Sequence, residues 1–297
     1  MDLKAARPDK VVDAEIAISK IKNGSRVFIG TGCGEPQHLI RTMVSDQRLQ
    51  DILVYQMLSF TFANYMNDDN FLRRFFVKVF FISQKIRQAA FDGKVEYLPA
   101  YLSQIPKLFS SHRIGLDAAL VQMSPPDKYG FCSLGVSVDI TLAGMRNAKL
   151  VIAQVNPKMP RTMGQSFIHS NYVHYVVEHE EDLLSVEPTK EVSEAANEIG
   201  SHIAHLIEDG STVVLHAGKI FDAVASHLKE KKNLGIVTHI ISDWVIDLIE
   251  SGAVSMDRDR LKGGLVTTSY CLGSEELYRY VDKNPVFEFH PLAILAN

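Results

Sequence analysis

Five apolar runs of strand length, each feeding through a small-residue loop into a helix-like segment, confine this chain to the α/β class. "RVFIG" at Arg26–Gly30 leads into the loop Thr31–Glu35 and a helix from Pro36, since proline suits a first helical turn. "AALVQM" at Ala118–Met123 precedes "SPPDKYG", with a helix expected to begin near Asp139. "LVIAQV" at Leu150–Val155 precedes "NPKMPRTMG". "TVVLHA" at Thr212–Ala217 leads to a helix through Ala223 and Leu228, and Leu234–Ile240 to one over Asp243–Glu250. Strands alternating with helices of this kind build parallel sheets.

A length of 297 residues suits about two domains. The segment "PTKEVSEAANEIG" begins at Pro188 after an acidic stretch and opens an amphipathic helix reaching Glu208, so domains are expected over residues 1–188 and 189–297. The halves also echo each other. "NGSRVFIGTGCGEPQHLIRTM" from Asn23 and "DGSTVVLHAGKIFDAVASHL" from Asp209 both run turn, Gly-Ser, strand, small-residue loop and amphipathic helix. The echo favours two related sheets with a site between them.

Composition narrows the partners. A formal net charge of -4 gives no global reason to expect nucleic acid. The greasiest stretch, Phe75 to Ile82, is too short to cross a bilayer and is interrupted by Lys78. "MDLKAARPDK" lacks the apolar segment of a secretory signal. Cys33, Cys132 and Cys271 are far apart and form no CxxC pair, which fits a reducing compartment, the cytoplasm by default, and no zinc framework.

Ligands of parallel sheets gather at the carboxyl ends of strands, which selects the five loops as candidate sites. In "GTGCGEP", Gly30 and Gly32 fit a dinucleotide GxG, but Glu35 holds the third glycine position, where a carboxylate repels pyrophosphate. A tight turn and a ligand-facing loop both remain open there, and a nicotinamide cofactor is disfavoured. Arg161 in "NPKMPRTMG" suits bidentate binding of a carboxylate or phosphate, the alternative being a solvated arginine. His169, His174 and His179, spaced by five, share no face. Glu198, His202 and His205 share a helical stripe beside Ile199, Ile203 and Leu206, read as a hydrated stripe rather than a metal site. His239, in "LGIVTHIISD", is placed on the strand face of Val237 and Ile241, as either a core histidine bonded to a backbone carbonyl or a group facing a site.

"VFIGTGCGEPQHLIRTMV", "SPPDKYGFCSLGVSVDI", "NAKLVIAQVNPKMPRTMGQSFIH" and "DLIESGAVS…LYRYVDKNPVFEFHP" together resemble the acetyl-CoA hydrolase/transferase family. These are family I CoA-transferases, among them the 4-hydroxybutyrate CoA-transferases, and the similarity runs from about Val11 to Asn297. The resemblance implies two CoA-transferase-type α/β domains with mixed, mostly parallel sheets and an active site in the cleft between them. It implies substrates, acyl-CoA and small carboxylic acids, rather than a permanently bound cofactor or metal. In the family a glutamate attacks the acyl-CoA thioester, becomes an acyl anhydride, and then carries CoA as a glutamyl thioester.

The chain departs from that pattern at three places. The family glutamate sits in a stretch like "LGIHTEMFSD", so that His239 takes its position and Val237 replaces a histidine. The family's CoA-binding "GIGAIP" aligns with His216, Ala217, Gly218, Lys219, Ile220 and Phe221, of which only Gly218 and Ile220 persist. Members also continue beyond "FEFHPLAILAN", which leaves the second domain incomplete as read. An imidazole has no carbonyl carbon on which CoA can be parked, so ping-pong transfer through His239 is excluded. The leading expectation is an acyl-CoA-acting protein of this family, diverged because His239 replaces the nucleophilic glutamate; the alternatives are a catalytically inactive subunit that binds a partner chain, an acyl-CoA hydrolase with His239 as a water-activating base, or a fragment of a longer gene product. The substrate-loop candidates are Gly32, Glu35, Gln37, Arg161 and Gly164, with Glu35 expected to orient its loop. A homo- or hetero-oligomer is expected.

Overall fold

A computed structural model of the chain describes residues 10–187, 192–254 and 266–295. The first sheet takes β1 (Arg26–Ile29), β2 (Ile52–Gln56), β3 (Phe75–Val79), β4 (Val95–Tyr97), β5 (Leu116–Met123), β7 (Ala148–Val155) and β9 (Tyr175–Glu178). Their order is β4-β3-β2-β1-β5-β7-β9, parallel at every pairing. Between β5 and β9, β6 (Phe131–Ser133) and β8 (Phe167–His169) form a small antiparallel pair.

The central strand explains why this sheet is covered on both faces. Along β1, Val27 and Ile29 join one core with Leu39, Ile40 and Met43 of the helix Gln37–Ser45. Phe28 points the other way, into a second core with Phe109 and Met145. A parallel strand buried on both sides needs a continuous apolar run rather than alternation, and "VFI" supplies it. Each such fully buried side chain contributes about 1.5–3 kcal/mol. The second core runs on without a break into the C-terminal part of the chain.

That part is built on β10 (Thr212–Val213), β11 (Gly235–Val237), β13 (Val266–Thr268) and β15 (Phe287–Phe289), again all parallel. Two short strands, β12 (Ile240–Ile241) and β14 (Tyr270–Cys271), extend β11 and β13. The pairs Val237↔Thr267 and Ile240↔Tyr270 keep the same register, so both strands kink at one level, at Thr238-His239 and Ser269. The amide of Ser269 donates to His239 O across the kink (3.3 Å).

Several expectations need correction. Thr212–Ala217 is strand only at Thr212–Val213, with Val214 59% exposed, because β10 is an outer strand with β11 as its one sheet neighbour among the described strands. His239 does not share a buried face with Val237 and Ile241: Val237 is exposed and Ile241 fully buried, since the kink breaks the alternation. The boundary at Pro188 lies outside the described residues. The helix that follows spans Glu194–Leu206, starting from a Ser193 side chain that caps the Ala196 amide. It packs through Ala196, Gly200 and Ala204, not through its large apolar residues. A side chain on Gly200 would run into Ala223 of the helix Lys219–Leu228, so the small face permits a close helix–helix approach. Ile199, Ile203 and Leu206 are left exposed.

Candidate active site

The kink in β11 and β13 meets the loop after β1 at a seam between the two sheets. The Cys33 amide donates to the Tyr270 hydroxyl (2.6 Å), and a side chain on Gly32, at φ +45, would strike that hydroxyl. The amides of Val138 and Asp139 donate to Ser269 O, and Leu292 N donates back to Asp139 O (3.1 Å). A cavity of about 560 Å³ opens at this seam. Its walls are largely apolar, with Met57, Phe81, Leu102, Ile240, Leu272 and Leu292 among them. The polar groups that face it include Thr31, Ser83, Lys85, Asp139, His216 and His239.

Three of these groups hold buried polar atoms without a hydrogen-bond partner: Thr31 Oγ1, Asp139 Oδ2 and His239 Nδ1. Buried polar atoms are almost always paired, and the Thr31 and Asp139 side chains answer each other, which leaves His239 Nδ1 as the orphan on this wall. The His239 and His216 rings lie 6.2 Å apart and near parallel. Burial, then the neighbouring His216, holds His239 below the ordinary histidine value, which keeps its imidazole neutral at pH 7. Burial pushes the Asp139 carboxyl up, and the Thr31 hydroxyl, with the Thr141 amide and hydroxyl, tempers the rise. Lys85 sets its ammonium 4.9 Å over the Phe60 ring, a cation beside an apolar wall.

Glu35 stands behind this wall rather than in it. Its carboxylate is fully buried and accepts from the amides of Phe60 and Thr61 (both 2.7 Å) and from Gln56 Nε2 (2.9 Å). It thereby fixes the segment that carries Leu58 and Phe60 to the cavity. Burial outweighs these donors and pushes its carboxyl up to about 7.

The remaining sequence candidates divide. His216 and Ala217 line the cavity, and the Trp244 indole donates to His216 O (3.1 Å). Gly218, Lys219 and Ile220 are exposed at the start of the next helix. Gln37, Arg161 and Gly164 lie outside this cavity. Gln37 donates to Asp182 O, and Gly164 pairs with Phe289 across the seam. Arg161 is no free anion clamp: its guanidinium donates to Ser124 Oγ, Pro125 O and Phe131 O, pairs with Asp127 and lies over the Phe167 ring. It holds its own loop together. Asp139, Thr31 and Lys85 escaped the sequence reading as site residues. The one local signal is "VSVDIT", where Ser137, Asp139 and Thr141 break an apolar run at every second position.

Among the described residues no cluster of three metal-ligating side chains exists, and no helix is long and apolar enough to cross a membrane. The cysteines are buried and unbridged, and burial raises the Cys33 thiol to about 11.

Residues 1–188 match the acetyl-CoA hydrolase/transferase N-terminal domain. The chain belongs to the acetyl-CoA hydrolase/transferase family. It is 38% identical over 305 residues to the 4-hydroxybutyrate coenzyme A transferase of Clostridium kluyveri, covering all of this chain and 71% of that protein. It is 35% identical to the succinyl-CoA:acetate/propanoyl-CoA:succinate CoA transferase of Fasciola hepatica, covering 92% of this chain and 57% of that one. Among solved structures, RipA from Yersinia pestis superposes with a TM-score of 0.91 at 28% identity, over 99% of this chain and 71% of RipA. The 4-hydroxybutyrate CoA-transferase from Porphyromonas gingivalis gives 0.84 at 30% identity, over all of this chain and 71% of that one. The chain therefore has the CoA-transferase fold over its whole length and spans between 57% and 71% of these relatives.

Proposed function

We propose that this chain acts on CoA thioesters of short carboxylic acids and hydrolyses them, with His239 as the base. One observation carries the reading: the half-buried imidazole of His239, its Nδ1 without a hydrogen-bond partner, on the wall of a largely apolar cavity. A neutral imidazole there takes a proton from water as the water oxygen attacks the thioester carbonyl. The C–S bond then breaks, and the imidazolium returns the proton to the leaving CoA thiolate. The products are the free acid and CoA, and no bond to the enzyme forms. Acetyl-CoA incubated with labelled acetate tests this directly. Free CoA should accumulate while no label enters acetyl-CoA. Label exchange without CoA release contradicts the proposal.

The exposed stripe on the helix Glu194–Leu206 supports a second reading, in which another chain docks on this helix. Ile199, Ile203 and Leu206 are 44%, 38% and 84% exposed. Three large apolar groups in a row at helical spacing suit an interface better than water. Light scattering should then find an assembly larger than one chain, and Leu206→Glu should dissociate it. A monomer in both cases removes this reading.

A further inference from the structure

We infer that His216 is a second catalytic group, whose ring N–H donates to the thioester carbonyl oxygen while His239 activates the water. The inference rests on the reading of the cavity as the place where an acyl-CoA thioester is attacked, and adds a residue to it. Both imidazoles are half-buried and both face the cavity, with ring centres 6.2 Å apart and planes 25° from parallel. The unit that carries His239 builds this pairing. One residue before it, the Thr238 hydroxyl donates to Leu215 O. In the helix that follows, Trp244–Glu250, the Trp244 indole donates to His216 O (3.1 Å). Phe221 meets the His216 ring edge to face at 5.5 Å. Backbone and packing thus place both rings, and among the described residues neither makes a hydrogen bond through its nitrogens.

A base alone does not complete the reaction in a largely apolar cavity. As water attacks, the carbonyl π electrons move onto oxygen, and a negative charge there needs a donor aimed at it. The other polar groups of the wall are committed or badly placed. Thr31 is tied to Asp139, the Ser83 hydroxyl donates to Ser59 O (3.2 Å), and the buried Tyr270 hydroxyl already holds the Cys33 amide. Gln84 and Lys85 are exposed, where water weakens what a donor can do. His216 is the one beside the base. A base and an oxyanion donor that serve one carbonyl each stand about 3 Å from the oxygen they serve, and rings 6.2 Å apart meet that requirement. A neutral imidazole carries one N–H in either tautomer, so His216 donates without transferring its proton. When the C–S bond breaks, the electrons return from oxygen to the carbonyl and the His216 hydrogen bond relaxes.

Infrared difference spectroscopy tests the contact without turnover. The probe is the acetyl-CoA analogue in which a methylene replaces the thioester sulfur, carrying carbon-13 at the ketone carbonyl. A hydrogen bond to that oxygen lowers its stretching frequency. The bound carbonyl should absorb at lower frequency in the parent than in His216→Leu, which is close to histidine in volume and has no donor. His216→Phe, which keeps the aromatic contact with Phe221, should match His216→Leu and carries the test if that variant fails to fold. His216→Gln, with a side-chain N–H, should recover part of the shift, which a purely structural role does not explain. In steady-state assays His216→Leu should lower kcat for acetyl-CoA hydrolysis about 10²- to 10³-fold, the loss expected for one oxyanion donor, with KM nearly unchanged. A carbonyl frequency equal in the parent, His216→Leu and His216→Phe overturns the inference. An analogue that fails to bind overturns the acyl-CoA reading as well. A shift that depends on His216 in a protein that does not hydrolyse acetyl-CoA upholds the contact and removes the hydrolase reading alone.

Discussion

Replacing His239 with alanine is expected to lower acetyl-CoA hydrolysis about 10²- to 10⁴-fold, the range a single positioned general base supplies. Nδ1 has no hydrogen-bond partner to lose, so the substitution should leave stability nearly unchanged and the loss should appear in kcat. The pH profile gives an independent signature. Burial and His216 hold the imidazole below its ordinary value of 6.5, and a protonated imidazole cannot accept a proton. Activity should therefore rise with pH along an acid limb whose midpoint lies below 6.5, and that limb should vanish in the alanine variant. A variant that hydrolyses at the parent rate removes His239 from the chemistry.

Glu35→Ala is expected to cost about 3 kcal/mol of stability or more. It orphans the Phe60 and Thr61 amides, and a buried unsatisfied donor costs about 1–3 kcal/mol. The urea midpoint should fall, and with it the affinity for acyl-CoA, since the same segment brings Leu58 and Phe60 to the cavity. The pH dependence has a definite sign. The folded carboxyl titrates at about 7 against an ordinary 4.5. Below 4.5 both states hold the proton, and its titration adds nothing to stability. Between 4.5 and 7 only the folded state keeps it, so stability falls as pH rises. Above that window the penalty is constant at about 3 kcal/mol. Glu35→Gln does not titrate, so the stability of the parent minus that of this variant should drop by about that amount from pH 4.5 to 7, as read by urea unfolding. A flat difference contradicts the burial argument.

How much of this was written in the sequence depends on how local each feature is. β1, β5 and β7 could be read directly, because a parallel strand covered on both faces must be an unbroken apolar run. β10 was read too long because its apolar residues, Val214 among them, lie at an outer strand where burial stops early. The helix Glu194–Leu206 misled in a different way. Its apolar stripe was visible, but the buried face is the small one, and only the close approach at Gly200 decides that.

The site divides along the same line. His216 and His239 follow strands of one sheet, so position alone made them candidates. Thr31 and Asp139 belong to loops more than a hundred residues apart in sequence and meet only at the seam. Arg161 illustrates the reverse error. Its type suggested an anion clamp, yet the backbone carbonyls of its own neighbourhood claim the guanidinium.

Intact-mass spectrometry after incubation with acetyl-CoA bears most directly on the fate of the coenzyme. An imidazole at position 239 offers no carbonyl carbon to hold sulfur, so the parent protein should show no mass increase of CoA size. His239→Glu should show one, released by hydroxylamine and mapping to the new carboxyl. A CoA adduct on any side chain of the unaltered protein would contradict the account, because thioester chemistry would then run through a residue other than His239.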